Sequence, residues 1–217
     1  MARLVLLHGL GGTGATMSPL ADDLRALGHT VVTPTLPGHG TAPDDLVDCT
    51  WAQWVAAVQS AVADIGADVV VGQSMGAALA LAAAGGLAGV VAINPPAADP
   101  DALDGLEWRR SRGHDWIDGP PLADGEAGYT RLPIRALIEM VDGVLCTDLS
   151  AVTVPVLLIT SALDEVVDPA SADVVAASLA GEVHRLLLAN SGHVAVLGPE
   201  RAAITRAVHE FVCTLAV

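Results

Sequence analysis

Three side chains, far apart in the chain, have the types that nucleophilic acyl chemistry requires: Ser74, Asp164 and His193. A serine hydroxyl attacks a carbonyl only when a base takes its proton, and the base in turn needs an acid that fixes its tautomer and direction. Ser74 lies in Gly72-Gln73-Ser74-Met75-Gly76, a G-x-S-x-G placed straight after the apolar run DVVV and before MGAALALAAA. Between a buried strand and a helix, this pentapeptide makes a turn so tight that the flanking positions must lack a Cβ. The turn lifts the serine hydroxyl above the strand ends, and the helix that follows offers its first N–H groups to a developing anion. A serine there could also serve only as a helix N-cap. Its strand–turn–helix setting, and the order of its partners, favour the nucleophile.

The partners should follow the nucleophile, acid before histidine. The run VPVLLIT leads into SALDEVVDP, and HRLLLAN leads into SGHVAV. Each candidate thus falls just past the C-terminal end of a predicted strand, the edge where open α/β sheets hold their sites. His193 is the candidate base. His29, His184 and His209 fall at element edges or on helices, while His39 and His114 lie in loops and are more distant alternatives. Among the acids, Asp164 lies nearest the strand end and is the first choice. Asp168, which precedes Pro169 and a helix, reads as the N-cap of that helix and is the alternative; Glu165 reads as a solvated neighbour.

A tetrahedral intermediate needs two further donors. The backbone N–H of Met75 is one, and the loop HGLGGTGAT after the first strand should supply the other from Leu10. Gly9, Gly11 and Gly14 also fit G-x-G-x-x-G, a dinucleotide fingerprint. That reading demands an acidic residue about 20 positions on, at the end of the second strand, and VVTPTLPGHG has none there.

Positioning these groups takes a framework of alternating elements. Strand-length apolar runs occur at Leu4–Leu7, Thr30–Thr33, Val69–Val71, Val90–Ile93, Val156–Thr160 and His184–Leu188. Their near-continuous hydrophobicity suits strands covered on both faces. Helical periodicity spans Ser18–Leu27, Thr50–Ile65, Ser74–Ala84, Ala170–Ala180 and Pro199–Leu215, the last with Pro199 at a first helical position. The alternation predicts a mostly parallel sheet flanked by helices.

From Pro95 to Ser150 the rhythm dissolves into Pro, Gly and Asp, with Trp108, Trp116 and the arginines Arg109, Arg110 and Arg112; only Ile134–Val141 reads as helical. So long a connection between core strands suggests an insertion with a function. The expected division is a core of residues 1–94 and 151–217 and a cap of residues 95–150. Trp108, Trp116, Leu132, Ile134, Leu137 and Ile138 would either line an acyl site or form the cap's own small core. Trp51 and Trp54, three apart on a helix, read as packing residues.

Composition narrows the partners. The 217 residues carry a net charge of −15, with ten arginines and no lysine. Such a surface repels nucleic acid and anionic membranes. Apolar residues make up 52% and aromatic ones 3%, so Val, Leu, Ile and Ala must build the core. Cys49, Cys146 and Cys213 are odd in number and scattered, which fits buried thiols in a reducing compartment rather than a disulfide framework or a metal site. No apolar stretch reaches the ~18 uninterrupted residues of a spanning helix, and MARLVLLHG is too short to be a signal peptide. A cytoplasmic, soluble chain without stable membrane anchoring is expected, its oligomeric state left open.

With these residues in hand, the chain resembles the α/β-hydrolase superfamily, and within it the bacterial carboxylesterase and monoacylglycerol lipase group. The resemblance rests on LLHGLGGT, PTLPGHGTAPDDL, TWAQWVAAV, VVVGQSMGAALAL, VPVLLITSALDEVVDP and NSGHVAVL, which occur in family order and span nearly the whole chain outside the insertion. It implies Ser74 as nucleophile, Asp164 as acid, His193 as base, oxyanion donors from Leu10 and Met75, and a cap inserted after the sixth family strand. It implies no metal and no organic cofactor. The substrate class it implies is a small-molecule carboxylic ester of short to medium acyl chain. The alternatives are the same triad acting on thioesters, amides, lactones or C–C bonds or in acyl transfer, and a non-catalytic ligand-binding fold. Two features depart from the pattern. The chain starts at the family's third strand, so about six strands are expected, and the insertion is short for a lipase cap.

Overall fold

Valine, leucine and isoleucine runs form the centre of the molecule. In the computed structural model, which describes residues 1–215, eight strands are β1 (Arg3–Leu7), β2 (Thr30–Val32), β3 (Val69–Gln73), β4 (Gly89–Ile93), β5 (Trp116–Asp118), β6 (Arg131–Pro133), β7 (Val156–Ser161) and β8 (Val183–Leu188). Seven helices are α1 (Gly14–Ala26), α2 (Trp51–Ile65), α3 (Met75–Ala82), α4 (Pro100–Ser111), α5 (Ile134–Cys146), α6 (Ser171–Ser178) and α7 (Arg201–Thr214). Six strands make one sheet in the order β2-β1-β3-β4-β7-β8, every pair parallel. The expected α/β sheet of about six strands is what the chain forms.

Period-two alternation divides the core. Val5, Val70, Val90 and Val156 lie in one row across β1, β3, β4 and β7. They bury one face together with Trp54, Val58 and Leu79 of α2 and α3. Leu4, Val69, Val91 and Leu157 bury the other against Leu20 and Leu24 of α1 and Ile204 and Val208 of α7. Trp54 is fully buried and Trp51 packs against Gly143 of α5, as expected of packing residues.

Several local expectations need correction. Helix α1 begins at Gly14, four residues before the predicted start, and carries Pro19 inside it. Helix α7 begins at Arg201, so Pro199 lies in the turn ahead of it rather than at its first position. Helix α6 begins at Ser171, and Asp168 is not its N-cap; its Oδ1 accepts the Ala170 N–H at 2.9 Å in the preceding turn. Of the three thiols only Cys49 is buried; Cys146 and Cys213 are exposed.

Residues between β4 and β7 are more regular than their composition suggests. They form α4, a small antiparallel hairpin of β5 and β6, and α5. Helix α4 escaped the sequence reading because it has no buried residue, hence no apolar stripe at helical spacing. Its start was nonetheless written in Asp99, whose carboxylate accepts the Ala102 N–H, and in Pro100 as first helical residue. Among the described residues no helix is long and apolar enough to cross a membrane.

Candidate active site

The turn at Ser74 is built by steric exclusion. A Cβ on Gly76 would stand 2.5 Å from the carbonyl oxygen of Leu7 and 2.6 Å from that of His8, and one on Gly72 would collide with the Gly76 carbonyl. Strand β3 and helix α3 can therefore meet only through these two glycines. Between them Ser74 is held at φ 56° and ψ −123°, a region that L side chains rarely occupy. Its N–H is tied to the Ile93 carbonyl of β4 at 2.9 Å. Met75 opens α3 with its side chain in the core, so only its backbone N–H, one of the unpaired donors of a helix start, is available to a ligand.

Loops after β7 and β8 bring Asp164 to His193. The imidazole Nδ1 faces both carboxylate oxygens, at 2.8 Å to Oδ2 and 3.0 Å to Oδ1. The Asp164 side chain is 1% exposed and that of His193 14%. Burial alone would raise the Asp164 pKa, but the His193 hydrogen bond and charge, with the N–H groups of Val167 and Val166 each 2.9 Å from Oδ1, outweigh it and hold the acid below its ordinary value. Asp164 thus stays a carboxylate, and His193 keeps its proton on Nδ1 with Nε2 directed elsewhere.

Opposite stands the loop after β1. Burial, then the neighbouring His39, push the His8 pKa down to about 3, against the pull of the Gly9 carbonyl. The neutral ring has a fixed tautomer: Nε2 accepts the Leu36 N–H at 3.1 Å, so Nδ1 carries the proton and donates to Gly9 O at 2.8 Å. Gly12 N–H reaches the same oxygen at 3.1 Å. Because Gly9 C=O and Leu10 N–H belong to one trans peptide and point oppositely, fixing the first aims the second away from His8.

Gly9, Leu10, Ser74 and His193 line one cavity of about 1170 Å³. Its apolar wall includes Leu132, Leu137, Met140, Val141 and Val144 from the insertion. Five carboxylates, Asp99, Asp124, Glu126, Glu165 and Asp168, also line it, and no arginine does. Of the six insertion residues named from the sequence, Leu132 and Leu137 reach this wall. Trp108, Trp116, Ile134 and Ile138 do not, and Trp108 is exposed under Arg112. Asp164 sits behind His193 and does not line the cavity, whereas Asp168 does.

The other histidines stand apart. His39 is buried beside His8, with ring centroids 4.8 Å apart, and His114 is exposed on the insertion. His29 and His209 bond each other at 2.9 Å beside Ala2, at the opposite end of the sheet from Ser74. Sequence reasoning missed three residues that hold the site in place. Asn94 donates to His193 O at 2.8 Å and to Ser161 Oγ at 3.0 Å, and its Oδ1 accepts the Ser161 N–H at 2.8 Å. Gln73 Oε1 accepts the Val196 N–H at 3.3 Å, and Glu200 accepts from the N–H groups of Ala189 and Asn190 and the Ser191 hydroxyl. Their only signal was a polar residue directly at the end of a buried strand, in Gln73 and Asn94.

A strand–Gly-x-Ser-x-Gly–helix elbow on a parallel sheet, with an Asp–His pair in the loops after later strands, defines an α/β-hydrolase. A sequence model of the alpha/beta hydrolase family matches residues 4–205, and the chain belongs to that family. It is 30% identical over 225 residues to a thermostable monoacylglycerol lipase of Bacillus sp. (strain H-257), across 96% of this chain and 89% of the relative. Among solved structures, one from a study of the metagenome-derived lipolytic enzymes LipS and LipT superposes with a TM-score of 0.87 at 29% identity, covering 98% of this chain and 93% of the other. The monoacylglycerol lipase of Paleococcus ferrophilus superposes at 0.77 with 18% identity, over 98% and 94%, and at that identity shows the shared fold. The resemblance to the esterase and monoacylglycerol lipase group is borne out.

Proposed function

We propose that this carboxylic ester hydrolase works through an acyl-enzyme on Ser74 and takes uncharged esters of short to medium acyl chain, monoacylglycerols among them. His193 accepts the Ser74 proton as the oxygen attacks the ester carbonyl, and Asp164 steadies the imidazolium. The oxyanion of the tetrahedral intermediate is held by the N–H groups of Leu10 and Met75. His193 then protonates the leaving alcohol, and afterwards deprotonates the water that releases the acid and restores Ser74. The insertion of residues 95–150 acts as the cap that walls the acyl site.

The observation that carries this reading is that His193, backed by the buried Asp164, lines the same cavity as Ser74, which is held in an unfavourable backbone conformation. The family likeness to lipases supports the ester. A second reading keeps the triad but takes thioesters. The cavity's five carboxylates and lack of arginine weigh against acyl groups on polyanionic carriers.

The test is hydrolysis of p-nitrophenyl esters and a glycerol monoester series by wild type and Ser74→Ala, with fluorophosphonate labelling in parallel. Turnover and labelling that vanish together in Ser74→Ala are expected. A wild-type protein that takes no label refutes the proposal, and label without ester turnover moves it to the second reading.

A further inference from the structure

Oxyanion donors are usually sought in the loop that carries them, but here that loop is fastened by a residue of the insertion. Tyr129 N–H donates to Gly11 O at 2.8 Å. Gly11 C=O and Gly12 N–H belong to one peptide, and Gly12 N–H donates in turn to Gly9 O at 3.1 Å. Gly9 C=O shares its peptide with Leu10 N–H. Two hydrogen bonds, joined through two peptide units, therefore run in series from the insertion to the N–H of Leu10, a residue that lines the cavity, and each peptide polarises the next.

Tyr129 is anchored from its far side. Its hydroxyl donates to Gly38 O at 3.1 Å and accepts the Thr41 N–H at 3.0 Å, and its ring lies 6° from parallel to His39 with centroids 6.5 Å apart. Neighbours brace the same contact: Thr16 Oγ1 donates to Ala127 O at 3.3 Å, and a Cβ on Gly11 would stand 2.8 Å from Leu132 Cδ2. Gly11, at φ +78°, could not carry a side chain and hold this register.

We infer that Tyr129 is a positioning residue of the oxyanion hole, through which the seat of the insertion on the loop after β1 sets the direction of the Leu10 N–H. This rests on the ester-hydrolase reading above. Loss of the anchor lets the Gly11 peptide turn and the Leu10 N–H drift from the developing oxyanion, while the ground-state ester, which makes little use of that donor, binds as before.

Because Tyr129 also lines the cavity, the test must separate positioning from an ordinary wall contact. Tyr129→Ala, Tyr129→Phe and Thr16→Val are compared with wild type in kcat, KM, thermal midpoint and inhibition by two substrate analogues. One is a trifluoromethyl ketone, whose serine adduct carries an oxyanion; the other is an ether that replaces the ester and forms no adduct. In Tyr129→Ala kcat should fall about tenfold with KM changed less than about twofold. The ketone's inhibition constant should rise by the factor by which kcat/KM falls, and the ether's should not move. Tyr129→Phe and Thr16→Val should show the same pattern to a smaller degree, and they carry the test if the alanine variant does not fold. Unchanged kcat in folded variants, or equal weakening of both inhibitors, overturns the inference. A wild type without esterase activity refutes the function proposed above instead, a result the variants cannot mimic.

Discussion

The carboxylate of Asp164 straddles the Nδ1 of His193, its two oxygens 2.8 and 3.0 Å from one ring nitrogen. The same Oδ1 accepts two backbone N–H groups, from Val166 and Val167, so the acid is held independently of the histidine it holds. Asp164→Asn keeps the shape but presents a donor where Nδ1–H needs an acceptor, favouring the wrong tautomer. A fall in kcat of about 10³–10⁴-fold is expected. Asp168→Asn, by contrast, disturbs the turn before α6 and removes one charge from the cavity wall, and should stay within a few-fold of wild type. Ester turnover of the two variants, measured side by side, decides the assignment; a crippled Asp168→Asn would reverse it.

Backbone strain at Ser74 makes a prediction about stability. Holding a non-glycine residue at φ 56° and ψ −123° costs about 1–3 kcal/mol. Ser74→Ala keeps that strain, whereas Ser74→Gly relieves it, against a glycine entropy penalty of about 0.5–1 kcal/mol. Urea unfolding should therefore find Ser74→Gly at least as stable as Ser74→Ala, with both inactive. A glycine variant clearly weaker than the alanine one would show that the elbow stores no strain.

Asn94 should matter more than its distance from the chemistry suggests. Asn94→Ala leaves the buried Ser161 N–H and the part-buried His193 carbonyl without their partner, at about 1–3 kcal/mol for a fully buried group left unpaired. It also frees the loop that carries His193, so kcat should drop about tenfold or more. Steady-state kinetics and a denaturant titration on one preparation would read both effects; loss of stability with full kcat would make Asn94 a purely structural residue.

Acid should unfold the protein through His8. The folded state keeps its imidazole neutral down to about 3, while an unfolded histidine binds its proton near 6.5. Between those values the unfolded chain holds more protons, so this stability is complete above about pH 6.5 and drains away as pH falls, at up to about 1.4 kcal/mol per pH unit. His39, lowered mainly by burial, acts in the same direction. Unfolding free energy measured from pH 7.5 to 4.5 should fall less steeply in His8→Gln than in wild type. Identical slopes would mean that another group governs the acid limb.

What the sequence made legible follows from which interactions are local. The central strands could be read because a strand covered on both faces needs a continuous apolar run, as in Val69-Val70-Val71, and the edge strands β2 and β8, though partly exposed, keep enough apolar residues to show. The elbow at Ser74 could be read because its turn excludes side chains at Gly72 and Gly76, and the nearness of Asp164 to His193 because each lies in the loop just past a strand of the same sheet edge. Helix α4 could not, since an exposed helix leaves no stripe. The grip of Asn94 on the His193 loop was equally hidden: it joins residues 99 apart, and nothing in either local sequence announces the other.

The carboxylates around the cavity bear on what happens after the chemistry. Cleavage of an uncharged ester creates a carboxylate, here beside Asp99, Asp124, Glu126, Glu165 and Asp168, on a chain of net charge −15. A carboxylic acid formed there is expected to be repelled by these carboxylates. The charge of this wall should therefore be felt at release: salt, which screens these fields, should slow the departure of acid product while leaving capture of an uncharged ester unchanged.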